Sequence, residues 1–500
     1  MRKPNILLIT TDSQRCDSLR SLGSQHAVSP NIDRLAAEGV CFEQAHTSSP
    51  VCAPARCSLL TGVHTPIHGC IENGVRRRSD LPVFPDALAE QGYTNIMVGK
   101  AHFDPIPQSF HVCHTTRGEK GGEVDDFYAE HIRRHGYRRS SAYPNAVPPE
   151  LFIDAYITDV TIREIATVRK RGRAPFFAFC SMLSPHSPMD PPGEWATIMD
   201  KAVLPPINYT EGEVERQPPS LRYLVGTLPD SARFDEATYS DGPFESVREA
   251  VGNTIDRADK GAIDLYRRLY YGSCAYCDAQ VGRLLDYLDS SGLREDTLVI
   301  FSSDHGLQLF DHGFNDKHNF YDASWRVPLI MSMPGTLHEG ERSGFAMWND
   351  ITATILAAAG APQRWVQGFD LFEPLKNGEP SPRKVAVASI DHSLALATTR
   401  WKIEYHVEEA AGRLYDRTQD PQEQLDLYDN PDFRDLRDAL LRALLTWRAD
   451  LVDVDRLSSN TKEGGPVARR VAAKVRSMEG RASEERLQRN LDDFLSGASG

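Results

Sequence analysis

The chain has 500 residues, of which 40% are hydrophobic and 25% are charged, with a formal net charge of −14. This balance is typical of a globular protein with one large α/β domain and a smaller appendage, and it excludes a wholly disordered or fibrous chain. Because acidic residues outnumber basic ones, the chain has no cationic surplus for binding a phosphate backbone, and we expect no nucleic-acid partner.

The first residues, MRKPNILLITTD, are basic and then apolar. Their apolar run is about five residues, shorter than the roughly 7–15 of a signal-peptide core, and no small-residue cleavage site follows it. No stretch of the sequence approaches the roughly 18 apolar residues that span a bilayer. The nine cysteines are odd in number and do not resemble a disulfide framework. We therefore expect a cytoplasmic, reduced protein with no membrane partner.

Apolar segments of strand length alternate with helical patterns along the first two thirds of the chain. In chain order the predicted strands are Ile6–Ile9, Thr94–Val98, Phe176–Ser181, Thr297–Phe301 and Val327–Met331, and the predicted helices are Asn31–Glu38, Phe84–Gln91, Ile157–Lys170 and Leu265–Ser290. Such alternation predicts a mostly parallel α/β sheet sandwiched by helices. Ligands of such sheets bind at the carboxyl ends of the strands. Polar residues stand there after two strands: Asp12 after the first, and Asp304 with His305 after the fourth.

The pattern changes beyond residue 384. Val385–Ala388 and Leu394–Tyr405 predict short antiparallel strands, and Leu425–Leu451 predicts a helical region. The charged residues after Ser458 predict either a solvated helix or an arm through which two copies of the chain associate. We therefore predict a catalytic domain over 1–384, a small C-terminal α+β subdomain over 385–457 and a charged helical tail over 458–500.

The segment SSPVCAPARCSLLTG, residues 48–62, carries the most informative pattern. Pro54 favours a first helical turn, which places Cys52 at a helix N-terminus, where an anionic group is stabilised. Arg56 follows four residues later on the same helical face, where it could hold an oxyanion near the sulfur. A buried thiol in a loop before a helix is the alternative interpretation of Cys52.

The motif Cys-x-Pro-x-Arg followed by Leu-x-Gly resembles the signature of the sulfatase family, here over residues 52–56 and 60–62. The resemblance extends from residue 4 to about residue 430. It implies an alkaline-phosphatase-like fold and hydrolysis of a sulfate monoester to an alcohol and inorganic sulfate. It also implies that a separate formylglycine-generating enzyme converts Cys52 to formylglycine (3-oxoalanine). In the hydrated aldehyde, one hydroxyl attacks sulfur and the other later loses its proton to expel sulfate.

The resemblance also assigns one divalent metal ion to Asp12, Asp304, His305 and the modified Cys52. Without it, Asp12 could equally be a helix cap and Asp304-His305 a turn. The chain departs from the family at two positions, because Ser13 stands where a second aspartate is common and His305 where an asparagine is common. These departures reduce the oxygen ligands that calcium prefers. The resemblance still implies calcium first, as the commonest ion of the family, and the softer ligand set makes manganese the alternative.

Five further side chains are assigned by the same resemblance. Lys100 would bridge nucleophile and sulfate, and His102, two residues on in an extended segment and hence on the same side, would orient the diol together with Arg56. His186 would bind substrate and protonate the leaving-group oxygen, and Lys317 would be the second sulfate-binding lysine. Asn73 matches an asparagine near the pocket of choline-sulfatase-like and phosphonate-hydrolase-like relatives. Considered alone, His186 and Lys317 would be a loop histidine and a solvated lysine.

Other patterns are predicted to be structural or to shape the pocket. Cys274 and Cys277 have CxxC spacing, but they lie within a helical pattern without a Gly or Pro turn, which predicts no zinc or redox site. The run Arg76–Arg78 predicts a solvated loop near the pocket entrance. The long excursions over 105–149 and 201–260 are predicted to set specificity. The ester stays open among aryl, choline and carbohydrate sulfates.

Two rival functions remain at this stage. Phosphonate monoester or phosphodiester hydrolysis would use the same site, but in those relatives tyrosine and threonine stand where this chain has Lys100 and His102. A non-catalytic binding protein would keep the pocket without modification of Cys52, but every expected catalytic side chain is present.

Overall fold

The computed structural model describes residues 3–115, 127–138, 145–218, 221, 260–391, 393–451 and 479–497. Its central sheet has eight strands in the order β4-β3-β5-β1-β6-β7-β2-β8. These strands are β1 (Asn5–Thr11), β2 (Val40–His46), β3 (Thr94–Gly99), β4 (Phe110–Thr115), β5 (Phe176–Ser181), β6 (Thr297–Ser303), β7 (Leu329–Ser332) and β8 (Glu341–Met347). β1 pairs in parallel with both β5 and β6, whereas β7 is antiparallel to its two neighbours.

The helices of the described residues pack on two sheets: several cover both faces of this one, and the last two pack on the smaller sheet that follows. They are α1 (Pro30–Ala37), α2 (Cys52–Thr61), α3 (Thr65–His68), α4 (Phe84–Glu90), α5 (Phe127–Arg134), α6 (Ile153–Arg171), α7 (Glu213–Arg216), α8 (Lys260–Ser290), α9 (Asp322–Trp325), α10 (Trp348–Ala359), α11 (Phe372–Lys376), α12 (Arg434–Asp450) and α13 (Ala482–Gly497).

Strand β1 shows why the sequence folds into layers. Every residue of β1 is buried, as expected of a parallel strand covered on both faces. Ile6 and Leu8 point into a core shared with α2, α4 and α10, whereas Leu7 and Ile9 point into a core shared with α1, α6 and α8. Successive side chains of one strand therefore hold both helical layers.

A second sheet follows the first in the chain. It has four antiparallel strands in the order β12-β11-β10-β9, namely β9 (Ala386–Ile390), β10 (Ser393–Ala397), β11 (Trp401–His406) and β12 (Ala411–Asp416). Leu396, Ile403 and Leu440 belong to one core that this sheet shares with α12 and α13. The described end of the chain, α13, thus packs on its own subdomain. Its association with a second copy stays a prediction.

The predicted fold class is confirmed. The strand at Phe176–Ser181 coincides with β5, and the other predicted strands of the large sheet are found with shifted ends. The C-terminal helix starts at Arg434, later than the helical region predicted from Leu425. The domain boundaries stay predictions.

Parts of the predicted excursions and tail lie outside the described residues, namely 116–126, 139–144, 219–220, 222–259, 452–478 and 498–500. Within the described ranges, every helix is too short or too polar to cross a lipid bilayer.

Candidate active site

Four candidate metal ligands meet at the carboxyl ends of two neighbouring strands. Strands β1 and β6 pair in a register that sets Thr11 beside Ser303, so the residues that follow them reach the same edge of the sheet. One ligand atom each of Asp12, Cys52, Asp304 and His305 lies within 4.8 Å of all the others, and all four residues are buried. The structure therefore brings together the four predicted ligands.

Helix α2 presents Cys52 to this cluster. The helix begins at Cys52, as predicted, after the extended residue Val51. It ends at Gly62, whose φ of +73° closes the last turn with a hydrogen bond from its N–H to the Ser58 carbonyl oxygen. Asn73 Oδ1 accepts a hydrogen bond of 3.0 Å from the Ala53 N–H at the other end. Asn73 therefore fixes the start of α2, and its predicted contact with substrate stays a prediction.

Ser13 ties the two ligand carboxylates together. Its Oγ donates to Asp12 Oδ1 at 2.8 Å, and its backbone N–H donates to Asp304 Oδ1 at 3.0 Å. This requires a left-handed φ of +66° at Ser13, a strained conformation of the kind that clusters at functional sites. The serine that departs from the family pattern thus has a structural role at the site.

The ring of His305 is oriented by its own backbone neighbour. Nδ1 lies 2.8 Å from the Gly306 carbonyl oxygen, and Nε2 lies 3.1 Å from Cys52 Sγ. Because a carbonyl only accepts, Nδ1 carries a proton and Nε2 is the atom left to bind a cation. Burial opposes charge on this ring, but the Asp304 carboxylate and the Cys52 sulfur outweigh it and raise the pKa of His305. The position therefore attracts positive charge.

Arg56 is fully buried and forms hydrogen bonds with both candidate ligand carboxylates. Its Nε donates to Asp304 Oδ2 at 2.9 Å, and Nη2 donates to Asp12 Oδ2 at 3.3 Å. Its Nη1 donates to Ser181 Oγ at 2.8 Å and to the Lys100 carbonyl oxygen at 3.0 Å. The structure thus pairs Arg56 with the two candidate ligand carboxylates, which differs from the expected contact with an oxyanion beside the sulfur.

Two ammonium groups lie beside the candidate nucleophile. Lys317 Nζ is 3.2 Å from Cys52 Sγ, and Lys100 Nζ donates to Asp12 Oδ2. Burial alone would raise the pKa of the Cys52 thiol, but Lys100, Lys317 and His305 together hold it well below its usual value. Burial and Cys52 would also raise the pKa of Asp12, yet Lys100 and the neighbouring cations keep it well below the usual range. The pocket therefore stabilises an anion at Cys52.

Two histidines approach the same point from other loops. His102 lies beside Cys52, and burial lowers the pKa of its imidazole, whose Nδ1 has no hydrogen-bond partner among the described residues. The predicted extended segment is wrong at His102, because its φ is +50°, yet the ring still reaches Cys52. His186 Nδ1 lies 2.7 Å from the Ser187 carbonyl oxygen, and its Nε2 lies 3.1 Å from Lys317 Nζ. His186 Nε2 is therefore an acceptor that faces the pocket.

Two residues next to predicted site residues, Glu72 and His318, were not predicted from the sequence. Glu72 Oε1 accepts from the Asn73 N–H at 2.6 Å and lies 3.5 Å from His318 Nε2. Their places next to Asn73 and Lys317 are the signal that could have found them. Of the predicted solvated run, Arg76 is exposed, but Arg77 is buried and donates to the Pro105 carbonyl oxygen at 2.9 Å. The expectation of a solvated loop is wrong for Arg77.

The CxxC pair lies in the middle of α8. Both Cys274 and Cys277 are buried, and all nine cysteines of the chain are free. Burial raises the pKa of both thiols, which keeps them protonated and unreactive. The predicted structural role agrees with this environment.

Comparisons with known proteins point in one direction. The family model described as Sulfatase matches residues 4–361, and that described as N-sulphoglucosamine sulphohydrolase, C-terminal, matches residues 310–450. The chain is 25% identical to the N-acetylglucosamine-6-O-sulfatase of Bacteroides thetaiotaomicron, over 91% of this chain and 88% of that protein. It is 27% identical to the choline-sulfatase of Rhizobium meliloti, over 86% of this chain and 83% of that protein.

Among solved structures, the phosphonate monoester hydrolase of Agrobacterium radiobacter matches with a TM-score of 0.76 at 23% sequence identity. The match covers 92% of this chain and 99% of that chain. At this identity, the likeness shows the shared fold alone.

Proposed function

Since the chain belongs to the sulfatase family, whose enzymes hydrolyse sulfuric esters, we propose that it cleaves a sulfate monoester through a formylglycine formed from Cys52 and one divalent cation. The observation that carries the proposal is the environment of Cys52. Its sulfur lies 3.1 Å from His305 Nε2 and 3.2 Å from Lys317 Nζ. One reactive atom thus faces a cation site and an ammonium group, which are the two partners that a transferring sulfate group needs.

The donor set fits a divalent cation. Two carboxylates and an imidazole converge on Cys52, and Ser13, Arg56 and Gly306 fix the orientation of these donors. Asp12, Asp304, His305 and the modified Cys52 would hold the ion. The ion would polarise the sulfate oxygens and lower the pKa of the nucleophilic hydroxyl. We propose calcium, with manganese as the alternative because a nitrogen ligand softens the site.

The remaining side chains have separate tasks in this proposal. The hydrated formylglycine would supply the hydroxyl that attacks sulfur as the bond from sulfur to the alcohol oxygen breaks, and its second hydroxyl would later lose its proton to expel sulfate and restore the aldehyde. His102 accepts the proton of the attacking hydroxyl, since burial favours its neutral ring. The Lys317 ammonium donates to a sulfate oxygen, and Lys100 adds a second positive charge beside Asp12.

His186 is proposed as the general acid. Its Nδ1–H is held by the Ser187 carbonyl oxygen, so Nε2 is the nitrogen that would take up a proton from water and pass it to the leaving alcohol oxygen, which leaves the ring neutral again. Lys317 Nζ lies 3.1 Å from this same nitrogen, so a sulfate bound by Lys317 would lie between Cys52 and His186.

The alcohol is proposed to be a small molecule or a carbohydrate. Relatives named N-acetylglucosamine-6-O-sulfatase and choline-sulfatase support both classes equally. Phosphonate monoester hydrolysis stays the rival activity, and the approach of both Lys100 and His102 to Cys52 favours the sulfate ester. The cytoplasmic location and the partnership with a formylglycine-generating enzyme stay predictions.

The proposal is tested by turnover of 4-nitrophenyl sulfate by the full chain co-expressed with a formylglycine-generating enzyme. Cys52→Ala should lower kcat/KM by at least about 1000-fold, as loss of a nucleophile does in other enzymes. Lys317→Ala should also lower it strongly. Cys57→Ala, a buried cysteine of the same helix, is the matched control and should retain activity.

Faster turnover of a 4-nitrophenyl phosphonate monoester than of the sulfate would favour the rival. Unchanged sulfate release by the Cys52 variant would rule out the mechanism.

A further inference from the structure

A buried cation of the small sheet binds the chain segment that carries Lys317. Lys402 lies on β11 and its side chain has no exposed surface. Its Nζ donates to the Phe320 carbonyl oxygen and to Glu423 Oε1. Phe320 is three residues beyond Lys317, whose ammonium contacts Cys52. The hydrogen bond from Lys402 to Phe320 therefore links the C-terminal subdomain directly to the segment that carries Lys317.

Three aromatic rings surround the same ammonium group. The ring centroids of Tyr321, Trp325 and Tyr415 lie 5.6, 5.8 and 5.7 Å from Lys402 Nζ. Tyr321 lies in segment 317–322, Trp325 ends helix α9 just after this segment, and Tyr415 belongs to β12. Such rings stabilise a cation most where water is excluded. Rings from the small sheet and from the chain around residues 321–325 thus both stabilise the charge of Lys402.

Glu423 completes this connection. Its Oε1 accepts from Lys402, and its Oε2 accepts from the Asp322 N–H at 2.9 Å. Arg417, which follows β12, donates to Asp322 Oδ2 at 3.1 Å. Residues 320–322 are therefore bound at two backbone groups and one side chain by the C-terminal subdomain.

Hydrogen bonds continue from these residues back to Lys317. Asn319 Oδ1 accepts from Gln308 Nε2 at 2.7 Å and from the Tyr321 N–H at 3.2 Å. Asn319 Nδ2 donates to the Lys317 carbonyl oxygen at 3.5 Å. His318 between them has a left-handed φ of +72°, which persists only where the surroundings enforce it. Segment 317–322 is thus held in one conformation from the nucleophile to Lys402.

Stability alone does not explain this buried charge network. The free energy lost by taking two ions out of water is about as large as the free energy gained from their attraction. Apolar side chains of similar size therefore often give the same stability. The charged groups differ from apolar side chains in that their directional hydrogen bonds fix the position of the backbone at residues 320 and 322. We propose that Lys402 and Glu423 are positioning residues that hold Lys317 against Cys52, an inference that rests on the proposed role of Lys317 in binding sulfate.

The test uses the full chain with modified Cys52 and measures kcat/KM for 4-nitrophenyl sulfate and inhibition by inorganic sulfate. Lys402→Met and Glu423→Gln should each lower kcat/KM by about 10- to 100-fold and weaken inhibition by sulfate, because small displacements of a binding group have effects of this size. Leu440→Ala is the control. It removes core packing from the same subdomain but no hydrogen bond to segment 317–322, so it should lower the melting temperature and leave kcat/KM unchanged.

A double-mutant cycle separates positioning from general damage. In a Lys317→Ala background, Lys402→Met should change kcat/KM by less than about 2-fold, because its effect passes through the missing ammonium group. Fully additive losses, or a loss in Leu440→Ala equal to that in Lys402→Met, would overturn the inference. Wild-type activity in Lys317→Ala would instead refute the proposed function itself.

Discussion

The charge balance of the site depends on one fully buried arginine. Arg56 neutralises two carboxylates that come from distant parts of the chain, and the sequence motif located this arginine without revealing its partners. Ser181 was likewise not predicted as a site residue, and Ser13 was noted only as a departure from the family pattern, since the roles of both arise from contacts across the sheet. By contrast, Asp12 and Asp304 could be predicted, because the ends of neighbouring parallel strands meet at one edge.

The contrast between two Arg–Asp pairs gives a prediction at this scale. Arg56→Met leaves Asp12 and Asp304 buried without their partner, which should lower the free energy of unfolding by about 3–5 kcal/mol. Arg76 pairs with Asp104, but its side chain is 79% exposed against 0% for Arg56. Arg76→Met should therefore change stability by less than about 1 kcal/mol. Urea unfolding of the two variants measures both values, and equal losses would contradict this account of Arg56.

At the scale of the element, burial decided what could be predicted. Strands β1, β5 and β6 are apolar runs buried on both faces, and the sequence located all three. Three strands of the large sheet were missed. β4 and β8 lie at its two edges, where polar residues such as His111 and Glu341 interrupt the apolar pattern. β2 lies inside the sheet, but its apolar run is cut short by the exposed Glu43. The helical tail was predicted, but its docking could not be, because it depends on one buried carboxylate far along the chain.

That carboxylate is Glu484 of α13. It accepts from His64 Nε2 at 2.9 Å, from Arg383 Nη1 at 2.9 Å and from Trp447 Nε1 at 2.6 Å. Burial alone would raise the pKa of Glu484, but His64 and Arg383 lower it from 4.5 to about 2. A lowered pKa in the folded chain means that Glu484 stabilises the fold fully above about pH 4.5 and loses this contribution as the pH falls toward 2.

The wild-type protein should therefore lose about 2 kcal/mol more stability than Glu484→Gln between pH 6 and pH 3. Denaturant unfolding of both proteins across this range measures the difference. Parallel pH profiles would show that folding does not lower the pKa of Glu484 and would contradict this account.

At the scale of the whole molecule, an acidic chain places three buried cations around one candidate nucleophile. Arg56, Lys100 and Lys317 lie around Cys52 despite the net charge of −14, so an acidic composition is compatible with binding of an anionic ester. The small sheet is attached close to this point through Lys402. Neither feature follows from composition, because both depend on how distant segments pack.

The central claim is that Cys52 reacts as formylglycine, and peptide mass spectrometry of the protein from its native host tests it most directly. The peptide that contains Cys52 should carry the aldehyde, and the modified fraction should equal the fraction of active sites titrated in the same sample. A thiol that is quantitatively unmodified in a fully active preparation would contradict the account.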